Sequence, residues 1–339
     1  MRAQIVRLLP AETADREGWA VDIYAAFAAL EIPPDTPNLC AAIAVTAQES
    51  SFQADPPVAN LPKIARGEID RRATRMGVPA LAVRVALRLP SPDGRSYGER
   101  IDAVRTEKEL SEIFESFIGS VPMGQRLFGG WNPVRTGGPM QVSIAFAESL
   151  AQSDGYPYPV PGSIRHEVFT RRGGLYFGIA HLLDYPASYD AHLYRFADFN
   201  AGRWASRNAA FQNAVSTASG IPLVLDGDLI SRGDDGAANP GATELAARAL
   251  GEQIDASDEA IRRALERGDG PELERTKVYR RVFALAEELE RRPLPRARVP
   301  DIELEGPKIA RKLTTRWFAE RVDARYGRCM ATAASGTAL

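Results

Sequence analysis

The sequence has 339 residues, with 42 Lys and Arg against 44 Asp and Glu and a formal net charge of −2. That length is one elaborated domain or two, and the balance of charge excludes a simple basic nucleic-acid binder and an acidic disordered chain. Apolar residues make up 45% and charged residues 25%, an ordinary globular composition. The longest near-apolar run, Leu39 to Val45, is far short of the roughly 20 residues that a bilayer span needs.

In chain order, Met1-Arg2-Ala3-Gln4 is not a charged segment leading into an apolar one, so the chain is either cytosolic or begins after a removed signal. Thr36-Pro37 reads as an N-cap and a first-turn proline opening a helix through Gln48. That helix is apolar on nearly every face and should be central. Thr106-Glu107-Lys108-Glu109 has the capping-box pattern and precedes Leu110, Ile113, Phe114, Phe117 and Ile118 at helical spacing. Further helices are expected near 64–76, 79–88, 141–152, 164–171, 174–183, 203–218, 242–251, 257–267, 273–290 and 307–325. Ile221 to Leu225 is the best short strand, and turn-rich breaks fall at Pro90–Gly94, Gly129–Gly138, Tyr156–Gly162 and Gly233–Gly241. The fold class is mainly α. The two cysteines, Cys40 and Cys329, are either separate buried thiols or one long-range disulfide in an oxidising compartment.

The central helix ends at Gln48-Glu49-Ser50. A carboxylate after ten mostly apolar residues is costly unless it meets solvent at a cleft or is used chemically. The negative end of the helix dipole disfavours its ionised form, as a general acid for glycosidic cleavage requires. Alone, Glu49 is an ordinary helix-terminal residue; two further segments make it a candidate. Gly137-Gly138-Pro139-Met140-Gln141 is a tight turn, and Asp198-Phe199-Asn200-Ala201-Gly202 is a helix end with a small-residue turn. Gln141 and Asn200 would offer donors and acceptors to sugar hydroxyls while Met140 and Phe199 form apolar walls; the plainer reading is a packed Met and a C-cap.

Taken in order, Glu49-Ser50, Gly138-Pro139-Met140-Gln141 and Phe199-Asn200-Ala201-Gly202 resemble the lytic transglycosylases of the goose-type lysozyme fold. The resemblance implies a lysozyme-like helical domain over 1–220, with 61–131 as a helical insertion and 221–339 as a C-terminal helical extension. It implies Glu49 as the single catalytic acid/base, with Ser50, Met140, Gln141, Phe199 and Asn200 binding substrate. The substrate implied is the glycan strand of peptidoglycan, cut between N-acetylmuramic acid and N-acetylglucosamine with closure of a 1,6-anhydro ring. Phe199 stands where that family carries Tyr, Pro139 where it carries Leu, and the interval from Glu49 to Met140 is several-fold longer.

A longer set of segments is similar to the YaiW-like outer-membrane lipoproteins, a family of unknown biochemical function. These include Glu68-Ile69-Asp70-Arg71-Arg72-Ala73, Asn132 through Ser143, Arg171-Arg172-Gly173-Gly174-Leu175 and Arg195 through Gly202. Members carry Phe at the Tyr position too. This resemblance implies an exported chain of the cell envelope, tethered through a lipid anchor whose signal and lipidated cysteine are removed from this sequence. It also implies a Cys40–Cys329 disulfide. A member linked to uptake of proline-rich antimicrobial peptides keeps a second class of function open: an inactive envelope protein that binds glycan or peptide.

No cofactor, metal or nucleic acid is expected. His166, His181 and His192 lack metal-ligand spacing, with His181 read as a core residue, and Asp226, Asp228, Asp234 and Asp235 read as turn residues outside the calcium-loop pattern. Glu167 and Asp198, beside expected helix ends, could approach the groove but read first as solvated or salt-bridged surface carboxylates. Arg171, Arg172, Arg203 and Arg207 are candidates for muropeptide carboxylates or for structural pairing. Tyr156 to Pro161 reads as a stiff aromatic–proline loop, either lining a cleft or, the plainer reading, lying at the surface.

Overall fold

The computed structural model describes residues 1–120, 123, 126, 130–231, 240–304 and 312–336. The described chain is mainly helical and divides into two compact units, the first over Met1–Ile179 and the second over described residues from Ala180 onward. That division falls inside the stretch 1–220 that the sequence suggested as one core.

The first unit opens with α1 (Arg2–Leu8) and α2 (Arg16–Ala29), neither foreseen, followed by the expected buried helix α3 (Thr36–Glu49). Leu39 through Thr46 are all buried in α3. Its cap is Asp35, one residue before the Thr36 that the sequence suggested: the Asp35 carboxylate accepts from the Asn38 N–H at 2.8 Å. Residues 61–120 supply α4 (Leu61–Arg75), α5 (Ala80–Arg88), α6 (Tyr97–Ala103) and α7 (Glu107–Ser120), the helical insertion that was expected. The capping box at α7 is present: the Glu109 N–H donates to the Thr106 hydroxyl at 3.2 Å and the Glu109 carboxylate accepts from the Thr106 N–H at 3.3 Å. A second box, Ser96 with Glu99, opens the unforeseen α6. Beyond these lie β1 (Thr136–Gly137) and β2 (Val142–Ser143), an antiparallel pair with Thr136 opposite Ser143, then α8 (Ile144–Ser153), α9 (Ile164–Val168) and α10 (Arg171–Leu183), whose residues from Ala180 onward belong to the second unit.

The second unit contains α11 (His192–Ala201), α12 (Ala205–Ser219), α13 (Ala242–Arg248), α14 (Asp258–Leu265), α15 (Lys277–Glu290) and α16 (Thr315–Gly336). Its core is a continuous cluster around Phe211, Val215, Ile254, Ile261, Val282 and Phe283, with Phe211 stacked on Tyr279 at 5.4 Å. The Ile221–Leu225 run is no strand: it has no neighbouring strand to pair with among the described residues, and its last carbonyl accepts the N–H of Asp301. The strands that do form, β3 (Glu303–Leu304) and β4 (Leu313–Thr314), pair antiparallel just ahead of α16. The turn expected at Gly233–Gly241, with Asp234 and Asp235, lies largely outside the described residues, as does the start of the helix expected over 307–325. Both cysteines are disulfide-bonded and none is free, so the two thiols of the sequence form one bridge.

Candidate active site

Glu49 is the last residue of α3 and is half-buried. Ser50 behind it is buried, and its hydroxyl donates to the Thr46 carbonyl at 3.1 Å, closing the helix end on itself. The chain then enters two consecutive left-handed residues, Ser51 (φ 50°) and Phe52 (φ 59°). Non-glycine residues at such angles carry strain, and the surroundings must hold them there. Here Phe52 is buried edge-on against Trp19, with ring centroids 5.2 Å apart and nearly perpendicular. The Arg171 guanidinium lies 5.4 Å from the Trp19 ring and pairs with Asp15 and Asp22. The amide oxygen of Gln48 is buried and has no partner among the described residues. Six residues beyond Glu49, burial raises the Asp55 carboxyl above its ordinary range, against the pull of the Thr106 hydroxyl.

Met140 and Gln141 share the loop between β1 and β2. A Cβ on Gly138 (φ 72°) would overlap the Val168 carbonyl, and one on Gly178 would overlap Met140. Pro139 sits in the same way against Gly174. The loop is therefore seated in a notch that two glycines, one turn apart, cut into α10. Met140 is completely buried there, so it shapes the surroundings through the backbone it holds. Gln141 is itself left-handed (φ 49°) and half-exposed; its N–H donates to the Gly138 carbonyl at 3.0 Å, and its amide oxygen accepts from the Thr136 hydroxyl at 3.3 Å. Below the notch, Glu167 is buried, contrary to the surface role expected of it. It accepts from Arg172 at 3.0 and 3.1 Å and from the Tyr156 hydroxyl at 2.8 Å. These donors hold its carboxyl below the usual range in spite of burial. Tyr156 stacks on Phe177 at 5.0 Å, so the expected surface loop is anchored inward at its first residue.

Phe199 and Asn200 belong to the second unit, at the end of α11. Phe199 meets the His181 ring edge-on at 5.2 Å, and the amide oxygen of Asn200 accepts from the buried Thr315 hydroxyl at 2.8 Å, tying the motif to the start of α16. His181 is the core residue that was expected, its ring held neutral down to about pH 4 by burial and the Arg203 guanidinium. Asp198 is wholly buried, not a surface carboxylate. It accepts from the Tyr185 hydroxyl at 2.9 Å, the Ser206 N–H at 2.6 Å and the Tyr189 hydroxyl. Burial pushes its carboxyl above the usual range even so. The four arginines all have structural partners: Arg203 bonds the Ala180 and His181 carbonyls, and the fully buried Arg207 bonds those of Gly268 and Gly270.

The expected site residues thus fall in both units, Glu49, Ser50, Met140 and Gln141 in the first and Phe199 and Asn200 in the second. The left-handed pair after Glu49 had no signal in the sequence, because neither position is Gly or Asn. Asp55 was legible only as a carboxylate ahead of two prolines. Among the described residues no group of His, Cys, Asp and Glu could hold a metal ion, and no helix is long and apolar enough to cross a membrane.

No solved structure matches the chain. It is 57% identical over 329 residues to the uncharacterized protein YaiW of Escherichia coli (strain K12), an alignment covering 97% of this chain and 89% of that protein. Residues 12–332 match the family described as protein of unknown function (DUF1615), and the chain belongs to that family.

Proposed function

We propose that this protein acts on peptidoglycan in the cell envelope, cutting the bond between N-acetylmuramic acid and N-acetylglucosamine by lytic transglycosylase chemistry. The observation that carries the reading is the end of α3, where a half-buried Glu49 and its cap Ser50 lead into two strained left-handed residues, Ser51 and Phe52, the second packed against Trp19. Strain of this kind concentrates where a fold must fix a functional group. In the proposed reaction Glu49 gives its proton to the leaving glycosidic oxygen. The same carboxylate then takes the proton of the muramic C6 hydroxyl, whose oxygen closes on C1 to form the 1,6-anhydro ring. One carboxyl group serves both steps, so no partner acid is needed. Gln141, half-exposed on a turn where its amide nitrogen makes only a long 3.5 Å bond to the Gly138 carbonyl, and the unspent Gln48 oxygen would orient sugar hydroxyls and acetamido groups. Ser50 and Met140 would act by fixing the backbone, while Phe199 and Asn200, in the second unit, are the further substrate-binding residues that the transglycosylase resemblance implies.

The disulfide supports an oxidising compartment, as the proposed location in the cell envelope requires. Incubating sacculi with the protein and with Glu49→Gln, and analysing products by mass spectrometry, tests the reaction. Release of 1,6-anhydromuropeptides by the parent and a loss of at least 100-fold in the variant are expected. No product where a known transglycosylase works would sink the enzymatic reading. A second reading, binding of glycan or proline-rich peptide without turnover, draws on Phe199, which has no hydroxyl to offer a catalytic carboxyl. It predicts retention on sacculi that Glu49→Gln leaves unchanged.

A further inference from the structure

The inserted helices α4 to α7 enclose a cavity of about 270 Å³, separate from the residues of the glycan reading and independent of it. Its walls are carbon: Ile69, Val83, Ala86, Ile101, Phe114 and Phe117 contribute to them. The Tyr97 hydroxyl in the same wall is spent on Ser116 and Ser120, at 3.2 and 3.3 Å. Such a space has room for about nine groups the size of a water molecule, yet offers water nothing to bond to. A sugar or a peptide backbone would leave its polar groups unpaired there, at a cost of kilocalories each. An unsubstituted hydrocarbon chain would not. The cavity meets the surface beside α5, where the lining residue Ala82 is exposed.

Helix α5 is apolar on its outer side as well. Leu81, Val85 and the following Leu89 are 66, 56 and 42% exposed, at successive i,i+4 positions, and Met76 at the end of α4 is 56% exposed. Between them stand Arg75, Arg84 and Arg88, exposed and making no ion pair among the described residues. A short helix with an apolar inner face, an apolar outer stripe and unneutralised cations has the chemistry of a surface that meets anionic amphiphiles.

We propose that the cavity binds a single aliphatic acyl chain of an anionic amphiphile, with the head group held at the mouth by the arginines of α5. The amphiphile is either a free fatty acid or a bilayer lipid, and the test separates them. The full chain, stripped of bound lipid, is titrated with dodecanoate by displacement of a fluorescent fatty acid. One saturable site is expected. Ala82→Trp, which blocks the mouth at an exposed position, should weaken binding at least tenfold, as should Ala86→Trp inside, with both variants checked by circular dichroism for unchanged unfolding. Arg84→Ala with Arg88→Ala should weaken dodecanoate several-fold but leave dodecanol unchanged. Displacement of the probe by phosphatidylglycerol vesicles, and not by phosphatidylcholine vesicles, identifies a bilayer source; displacement by dodecanoate alone identifies a free acid. Absence of dodecanoate binding, or binding that survives both tryptophans in folded protein, overturns the proposal. So does displacement of the probe by a proline-rich peptide and not by dodecanoate.

Discussion

In the first unit, the loop carrying Met140 and Gln141 is placed by taking side chains away: glycines at 138, 174 and 178 let backbone approach backbone. In the second unit, the α11 motif is placed by adding polar groups and burying them. Asp198, Arg207 and Glu244 are all 0% exposed, each held by several partners. The first strategy is steric and indifferent to pH; the second is electrostatic and depends on every partner being present. The two halves of the expected site should therefore fail in different ways when disturbed.

The largest effect is expected from Asp198→Ala, which strands two buried tyrosine hydroxyls and the Ser206 N–H. Loss of about 3–5 kcal/mol of stability should follow, read as a shift of the urea midpoint at constant slope. Asp198→Asn keeps an acceptor oxygen and should lose about 1–2 kcal/mol. If both variants were equally mild, the second unit would not depend on its buried polar groups. Next comes Gly138→Ala, whose methyl would meet the Val168 carbonyl in a left-handed residue. About 3 kcal/mol should be lost, with the same loss at neutral and at acid pH. The last effect is confined to acid. The pKa of His181 is pushed down from 6.5 to about 4, so the fold favours its neutral form. The resulting stability is fully present above about pH 6.5 and drains away as pH falls toward about 4, by about 2–3 kcal/mol. His181→Phe should flatten that part of the stability profile, measured by urea unfolding across the range. A profile unchanged by the substitution would remove His181 from the comparison.

How much of this the sequence made legible depends on the range of the interaction. The α7 capping box needs only residues 106 to 109, and it was readable to the atom. The burial of α3 was readable because no face of it is polar. The Asp35 cap was missed because Thr36-Pro37 is itself a good helix opening. In α2, low overall contrast between its faces concealed Trp19, Ala20, Ile23, Ala26 and Phe27, which are buried at helical spacing. Ile221–Leu225 has the composition of a strand, but a strand also needs a neighbour, and that depends on distant chain. Glu167 and Asp198 were misjudged for the same reason. Charge alone favours the surface, and only their tyrosine and arginine partners, brought in by the fold, make burial tolerable.

The seating of the Gly137–Gln141 loop in the α10 notch has a consequence for how the chain can vary. Pro139 and Met140 fill volumes left by Gly174 and Gly178, so two stretches more than thirty residues apart encode a single contact between them. A larger residue on the helix would have to be answered by a smaller one in the loop, and neither change could precede the other without a period of reduced fitness. In lineages descended from this chain, the two stretches are expected to drift together or not at all.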